Sequence, residues 1–483
     1  MISDAWAVSA LLAFIALLAL GLASTHILQS KGDVRSAIAW LGVVWLVPFF
    51  GVLFYLLFGI SRIRRRARQA RVKRGLPQRS HALEDPGGKK LGSYLPDIRN
   101  RWQSHSLLAG RVSGQPLTAA NDITPLNGGR DAYDAMITAI NNAKHTIALT
   151  TFIFQADQAG RRFLSALTRA HERGVEVRVL VDAVGNLYGL KPVARLLRRR
   201  GVPVALFNPA RLSWRIAFFN LRTHRKILVV DGRTGFAGGM NIRKHHLEEK
   251  SGVPRVRDTH FCLKGPIVGQ LMDAFADDWA FATEEELSGK MWFPARFSAA
   301  GSVVARAVPD GPDESRPKTQ LMLESALAVA RRQVRIITPY FIPGTGLVSA
   351  LERAALRGVD VTIVIPEKNN LPFFNLSAFA GLKPLLAAGC EILLAKPPFD
   401  HTKLVIIDDV WVMFGSSNWD ERSLKLNFEF NVECYDEKLA QKMIDWTQEP
   451  VATARRLDRD YLQGRPVIKR IFGRLLWLLS PYL

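Results

Sequence analysis

The sequence predicts an α/β protein of two lobes, each a mixed, mostly parallel sheet flanked by helices. The lobes are expected to be related by a pseudo-two-fold and preceded by a transmembrane helical hairpin. Three observations lead there. The stretch THRKILVVDGRTGFAGGMNIRK, Thr223 to Lys244, and the stretch HTKLVIIDDVWVMFGSSNWDERS, His401 to Ser423, share one skeleton. Each has a His, a Lys two residues on, an apolar run, an Asp five beyond the Lys, a pair of small residues and an Asn 17 after the His. A strand, helix, strand pattern precedes each copy, and two long uncharged runs open the chain.

Ala5 to Leu28 and Ser36 to Ile60 are 24 and 25 residues without Asp, Glu, Lys or Arg, and about 20 apolar residues span a bilayer. The opening MISDAW carries Asp4 and no basic residue, which argues against a signal peptide with its positive leading region. Eight Lys or Arg in SRIRRRARQARVKR, Ser61 to Arg74, follow the second run. They place the bulk of the chain in the cytoplasm by the positive-inside rule and invite anionic headgroups. Residues 1–95 hold 13 of the 65 basic and 4 of the 43 acidic residues, so +13 of the net +22 stays on the remainder. The three cysteines, Cys262, Cys390 and Cys434, are scattered and form no C-x-x-C pair, so neither a disulfide framework nor a zinc site is expected.

In the first copy the β-rich run HTIALTTFIF leads into RRFLSALTRAHERG and then VEVRVLVDAVG. In the second, VRIITPYFIP leads into LVSALERAALRG and VDVTIVIP, and Arg173-Gly174-Val175 matches Arg357-Gly358-Val359. Such units form right-handed βαβ crossovers. A chain of this composition would contain H-x-K-x4-D by chance about 0.02 times. Two copies therefore set His224 and His401 apart, whereas His245 and His246 read as loop residues and His26, His81, His105, His145 and His171 as ordinary ones.

These paired motifs resemble the signature of the phospholipase D superfamily. HRKILVVDG, GGMNI, RDTH at Arg257–His260, TPYF at Thr338–Phe341, GSSNWDERS and LNFE at Leu426–Glu429 resemble its cardiolipin synthase branch. The apolar stretch after Arg35 resembles that branch's second membrane span. Thr223, Asp400 and Thr402 depart from its commoner residues. The chain is expected to divide into two transmembrane helices (1–61), a basic tract and linker (62–95), two phospholipase D-like lobes (96–300 and 301–450) and a basic, apolar C-terminal segment (451–483). That last segment, RPVIKRIFGRLLWLLSPYL, suits an interfacial helix or a docked core helix equally.

A phosphodiester resists cleavage because its oxygens repel a nucleophile and its leaving alkoxide is a strong base. Two imidazoles meet both problems, one attacking phosphorus and one protonating the leaving oxygen. Each repeat supplies one His, one Lys and one Asn, so the two must face each other. The expected catalytic set is His224, Lys226, Asp231, His401, Lys403 and Asp408, although motif aspartates of this family look structural. Lys226, Lys403, Asn241 and Asn418 are expected to hold the phosphate oxygens, and Asp258 and Glu429 to orient an imidazole. By resemblance His224 is the nucleophile and His401 the acid. No carboxylate cluster or His-rich ligand set suggests a metal, and no cofactor is expected. The resemblance implies phosphatidylglycerol as donor and acceptor, anionic phospholipid and membrane as partners, no nucleic acid, and the bacterial inner membrane as location. A hydrolytic phospholipase D, or a transferase drawing on phosphatidylethanolamine, would use the same motifs.

Overall fold

The structure is a computed structural model of the chain. It describes residues 2–31, 34–59, 99–189, 191–208, 222–247, 256–312, 317–371 and 373–478. Two compact units are present, Met1–Gln69 with Ala210–Asn220, and Ala70–Pro209 with Leu221–Leu483.

In the N-terminal unit one helix runs Ile2–Ser30 and a second arm returns as Val34–Leu46, Pro48–Phe54 and a π turn Tyr55–Gly59. The second arm breaks at Val47 because Pro48 has no N–H to donate and its ring crowds the preceding turn. Leu20, Ala23 and Ile27 pack against Val44 and Tyr55, and His26 Nδ1 lies 2.7 Å from the Tyr55 hydroxyl. Leu11, Phe14, Leu22, Trp45 and Phe49 point outward and are exposed, an arrangement suited to hydrocarbon rather than water. Among the described residues one helix, Ala10–Ser30, is long and apolar enough to cross a membrane alone. The second arm is the shorter and kinked partner of that helix, divided at Val47. The basic tract 61–74 and the linker 75–93 lie outside the described residues.

The second unit is built on one sheet. Its first half comprises β1 (Thr118–Asn127), β2 (Thr146–Thr151), β3 (Glu176–Asp182), β4 (Val204–Phe207), β5 (Ile227–Val230), β6 (Thr234–Gly238) and β7 (Thr259–Lys264). The second half comprises β8 (Val303–Asp310), β9 (Gln333–Ile337), β11 (Asp360–Pro366), β12 (Glu391–Ala395), β13 (Leu404–Ile407), β14 (Trp411–Gly415), β16 (Glu429–Tyr435) and β17 (Arg455–Leu457). A separate two-stranded ribbon pairs β10 (Phe341–Ile342) with β15 (Trp419–Asp420). Across the main sheet the order is β4-β3-β2-β5-β6-β7-β1-β8-β16-β14-β13-β9-β11-β12-β17. Apart from β17 the order is a palindrome of equivalent strands about the antiparallel β1–β8 pair. The repeat in sequence is thus a pseudo-two-fold in space.

Matching residues do matching work. Gly174 and Gly358 both end their helices at φ +86°, the left-handed conformation that a side chain disfavours. Arg173 Nη2 donates to the Ile140 carbonyl at 3.2 Å, and Arg357 Nη2 to the Leu327 carbonyl at 2.8 Å. After β5 the chain turns through Asp231 (φ +53°) and Gly232 (φ +62°), and after β13 through Asp408 (φ +52°) and Asp409 (φ +57°). Two consecutive positive φ values are the mark of the I′ turn, whose twist suits a hairpin.

Those hairpins also correct the expectation of mostly parallel sheets. Fifteen strands give fourteen neighbour pairs, of which four, β2–β3, β3–β4, β9–β11 and β11–β12, are parallel among the described residues. A helix links the two strands of each of those parallel pairs. The motif strands return through tight turns, which pair antiparallel.

Each half has its own core. In the first, Ile147, Val177, Val179 and Leu228 pack under Phe163, Leu164 and Leu167 of the helix Gln158–Glu172. In the second, Val334, Ile336, Val361 and Val405 lie under Leu347, Leu351 and Ala354 of the helix Thr345–Leu356. The helix Arg99–Ser113 was expected with the first lobe but packs into the second. Trp102 stacks on Trp411 at 5.9 Å, and His105 Nε2 lies 3.1 Å from Glu433 Oε2. Nor is the C-terminal segment an appendage. β17 pairs with β12, and the helix Val467–Leu478 packs on the helix Phe374–Gly381. Gly473 permits that approach, since a Cβ there would lie 2.4 Å from the Leu376 carbonyl oxygen.

Candidate active site

The two motif histidines sit at the seam between halves. Thr223 bridges to Phe428 and Arg257 to Asp400, each in parallel. The His224 amide donates to the Phe428 carbonyl at 2.8 Å and the His401 amide to the Arg257 carbonyl at 2.8 Å. Each histidine therefore enters its strand clamped by backbone from the other half. The residue after each clamp supplies a carboxylate. His224 Nδ1 lies 3.0 Å from Glu429 Oε2, and His401 Nδ1 lies 2.8 Å from Asp258 Oδ2. The arrangement is crossed: first-half His with second-half Glu, second-half His with first-half Asp. An ionised Glu429 at Nδ1 holds the proton of the neutral His224 ring there and leaves Nε2 with its lone pair free.

Lys226 Nζ donates to the His224 carbonyl and Lys403 Nζ to the His401 carbonyl, each at 2.6 Å. Asn241 Oδ1 accepts from the Ile153 amide at 3.0 Å, and its backbone carbonyl accepts from the Tyr133 hydroxyl. Asn418 Oδ1 is buried without a hydrogen-bond partner. The motif aspartates stand elsewhere. Asp231 accepts from the amides of Lys144, His145 and Thr146, and Asp408 from those of Arg331, Arg332 and Gln333. Arg101 adds an ion pair to Asp408 at 2.8 Å. In place of the expected catalytic task, both carboxylates pin the start of a neighbouring strand to the I′ turn.

The lysine of each half acts on the imidazole of the other. Burial holds His224 below its usual pKa against the pull of Glu429, and Lys403 of the other half adds to the depression. Burial, then Lys403 and His246, hold His401 well below its usual value. Lys226 is pushed well down and Lys403 down to about 8, in both cases mainly by burial. Burial raises Asp258 to about 8, and Asp400 reinforces the rise. Burial also opposes the charge on Glu429, but His224, Lys226 and the Ser416 hydroxyl outweigh it and leave the carboxyl below its ordinary value. Four basic groups yield their protons more easily than usual, and an anion bound among them would favour their charged forms.

Several residues around the imidazoles were missed. His246, read as a loop residue, is buried in the 3-10 turn Lys244–His246, with its ring centroid 6.4 Å from that of His401. Both its nitrogens lack a hydrogen-bond partner. Nothing in RKHH distinguishes it from His245. Phe152 packs on His224 at 5.4 Å, and Tyr340 and Phe399 on His401 at 6.3 and 6.0 Å. Ser416, one of the small pair, donates its hydroxyl to Glu429. Gly239, of the other pair, is small because a Cβ would lie 2.8 Å from Asp258 Oδ1 and 3.1 Å from the His401 carbonyl oxygen. Among the described residues no group of three or more His, Cys, Asp or Glu is placed to hold a metal ion.

Two carboxylate-backed imidazoles with two lysines, on a pseudo-two-fold mixed α/β sheet, define a phospholipase D-like class of protein. Comparison with known proteins narrows this. The family described as "Cardiolipin synthase, PLD-like domain" matches residues 136–279 and 323–449, and "Phospholipase_D-nuclease N-terminal" matches residues 12–59. The chain is 32% identical to the major cardiolipin synthase ClsA of Bacillus subtilis (strain 168), covering 98% of this chain and 99% of that protein. It is 30% identical to a cardiolipin synthase of Clostridium perfringens (strain ATCC 13124), over 92% of this chain and 93% of the relative. The phosphatidylserine synthase of Haemophilus influenzae Rd KW20 shares the fold with a TM-score of 0.62 at 17% identity, over 79% of this chain and 100% of that one. The chain belongs to the cardiolipin synthase family of the phospholipase D superfamily.

Proposed function

We propose that this enzyme moves a phosphatidyl group from one phosphatidylglycerol to another, giving cardiolipin and glycerol. The observation that supports it most is the crossed pair of imidazole–carboxylate contacts beside Lys226 and Lys403. Neutral His224 attacks phosphorus through Nε2 while His401 gives its proton to the departing glycerol oxygen, so a P–N bond forms as a P–O bond breaks. The hydroxyl of a second phosphatidylglycerol then gives its proton to the now neutral His401 and attacks phosphorus, and His224 leaves. Lys226, Lys403, Asn241 and Asn418 hold the non-bridging oxygens. The incoming phosphodiester supplies the missing negative charge, which lifts His401 back toward its protonated form. An ionised Glu429 steadies the positive charge that develops on the phosphorylated His224 ring.

The chain sits in the bacterial inner membrane through two passes, the second kinked at Pro48, with the lobes in the cytoplasm. The eight basic residues from Arg62 to Arg74 support that orientation. A cysteine at Gly32 is expected to react with an impermeant thiol reagent in intact cells, and one at Gly87 to stay unlabelled.

Purified protein in micelles of phosphatidylglycerol alone is expected to release glycerol and cardiolipin in equal amounts, with or without a chelator. Phosphatidic acid as the main product would identify a hydrolase instead. A requirement for phosphatidylethanolamine, with ethanolamine released, would overturn the donor.

A further inference from the structure

The C-terminal helix Val467–Leu478 is two-faced in an unusual sense, because it is apolar both where it is packed and where it is not. Gly473, with the half-buried Leu476 and Trp477, faces the helix Phe374–Gly381. On a 3.6-residue turn the opposite side carries Ile468, Ile471, Phe472 and Leu475, all exposed, Ile468 to 80%. Exposed Lys469 flanks this stripe on one side, and exposed Arg470 and Arg474 flank it on the other. The stripe continues onto the catalytic scaffold through Phe373, whose ring lies 6.0 Å from that of Phe472. Phe373 itself is exposed, as is Leu371.

The patch lies beside the site. Trp477 packs with Ile342, Phe374, Ala378 and Tyr340, and Tyr340 stands over His401. The first half offers a smaller counterpart. Leu187 and Tyr188 are exposed, Tyr188 touches Phe152 at 6.3 Å, and Phe152 packs on His224.

We propose that the helix Val467–Leu478, together with Leu371 and Phe373, docks into the surface of an anionic lipid leaflet at the rim of the active site. Water is a poor neighbour for a contiguous stripe of this size. Another protein surface would leave the flanking basic residues without a stated partner, whereas a leaflet meets the stripe with acyl chains and the flanks with phosphate groups. Seated there, the site takes lipid directly from the leaflet, with the headgroup reaching the imidazoles and the chains staying in hydrocarbon. The proposal rests on the phospholipid reading above.

The test uses the full chain in phosphatidylglycerol-containing vesicles doped with nitroxide lipid, with the three native cysteines replaced by alanine. Bimane at Ile471→Cys is expected to be quenched several-fold more strongly than bimane at Lys442→Cys, an exposed position outside the patch. Equal quenching overturns the proposal. So does an efficient 471–471 disulfide between chains, which would assign the stripe to a second copy. The double variant Ile471→Asp, Leu475→Asp is expected to lose about tenfold or more in turnover of vesicle lipid, since two apolar anchors are removed from the leaflet. Its turnover of a monomeric short-chain phosphatidylglycerol is expected to stay within about twofold, and its melting temperature to stay unchanged. Equal loss on both substrates overturns the proposal. Quenching needs no reaction, so a wild-type protein that makes no cardiolipin would sink the functional reading while leaving the docking measurement valid.

Discussion

The His224 half and the His401 half of the site use the same backbone and differ in what lies behind the ring. Behind His224, Glu429 is saturated, accepting from the ring, from the Ser416 hydroxyl and from Asn427 Nδ2 at 3.2 Å. Its carboxyl stays below the usual range despite full burial. Behind His401, Asp258 is undersatisfied. Its Oδ1 has no hydrogen-bond partner, Asp400 lies near, and the carboxyl rises to about 8. Near neutrality the first pair therefore holds a negative charge and the second holds a proton. On the proposed roles, that difference fits two identical side chains to opposite tasks, a nucleophile whose developing cation is balanced and an acid whose partner keeps a proton in reserve.

The largest expected effect tests that division directly. His224→Ala and His401→Ala should each lower turnover of natural lipid by about 10⁴-fold or more. With a p-nitrophenyl phosphodiester, whose leaving group needs no acid, His401→Ala should still show a burst of nitrophenol and His224→Ala none. The reverse pattern would exchange the two roles.

A smaller difference separates the carboxylates. Glu429→Gln removes a real negative charge and should cost about 10²-fold or more at pH 7, whereas Asp258→Asn replaces a carboxyl that is mostly protonated there and should cost about tenfold. Both Asp258 and Lys403 titrate near 8. Below that pH Asp258 is neutral and Lys403 charged; above it Asp258 gains a negative charge and Lys403 loses its positive one. Both changes repel an anionic substrate, so kcat/KM should fall above about pH 8 with a slope steeper than one proton. In Asp258→Asn the slope should drop to one, and an unaltered profile would contradict the assignment.

The smallest effects belong to the motif aspartates, and they appear in stability rather than chemistry. Asp231→Ala and Asp408→Ala each strand three strand-end amides, which should cost about 1–3 kcal/mol on denaturation. Asp408→Ala should cost more, because that carboxylate is fully buried and also meets Arg101. Activity per folded molecule should survive at a large fraction of wild type. Loss of chemistry with unchanged stability would return these residues to the reaction.

Much of this was legible beforehand. The two-lobed α/β fold and the repeat followed from motif spacing and strand periodicity, the family followed from the resemblance of the motifs, and the comparisons bear out that resemblance. The orienting carboxylates were named but not their partners. Asp258 and Glu429 follow their own half's Asn in sequence, yet each serves the ring 143 or 205 residues away. The parallel share of the sheet was overestimated because βαβ patterns are conspicuous in sequence and antiparallel returns are not. The helix Arg99–Ser113 was assigned by adjacency, whereas Trp102 finds its apolar surface on Trp411. His246 gave no signal, since a His in a polar stretch reads as solvated until burial is known.

By itself the sequence determined whatever is governed by nearby sterics and periodicity: the left-handed turns at Asp231-Gly232 and Gly358, the apolar motif strands, the break at Pro48 and the doubling of His, Lys and Asn. Only the tertiary structure decided which carboxylate faces which imidazole and which of two like groups keeps its proton. Those outcomes depend on two strands, β1 and β8, joining the halves edge to edge, and on the desolvation that follows. Neither the join nor the loss of water is a property of any short segment of chain.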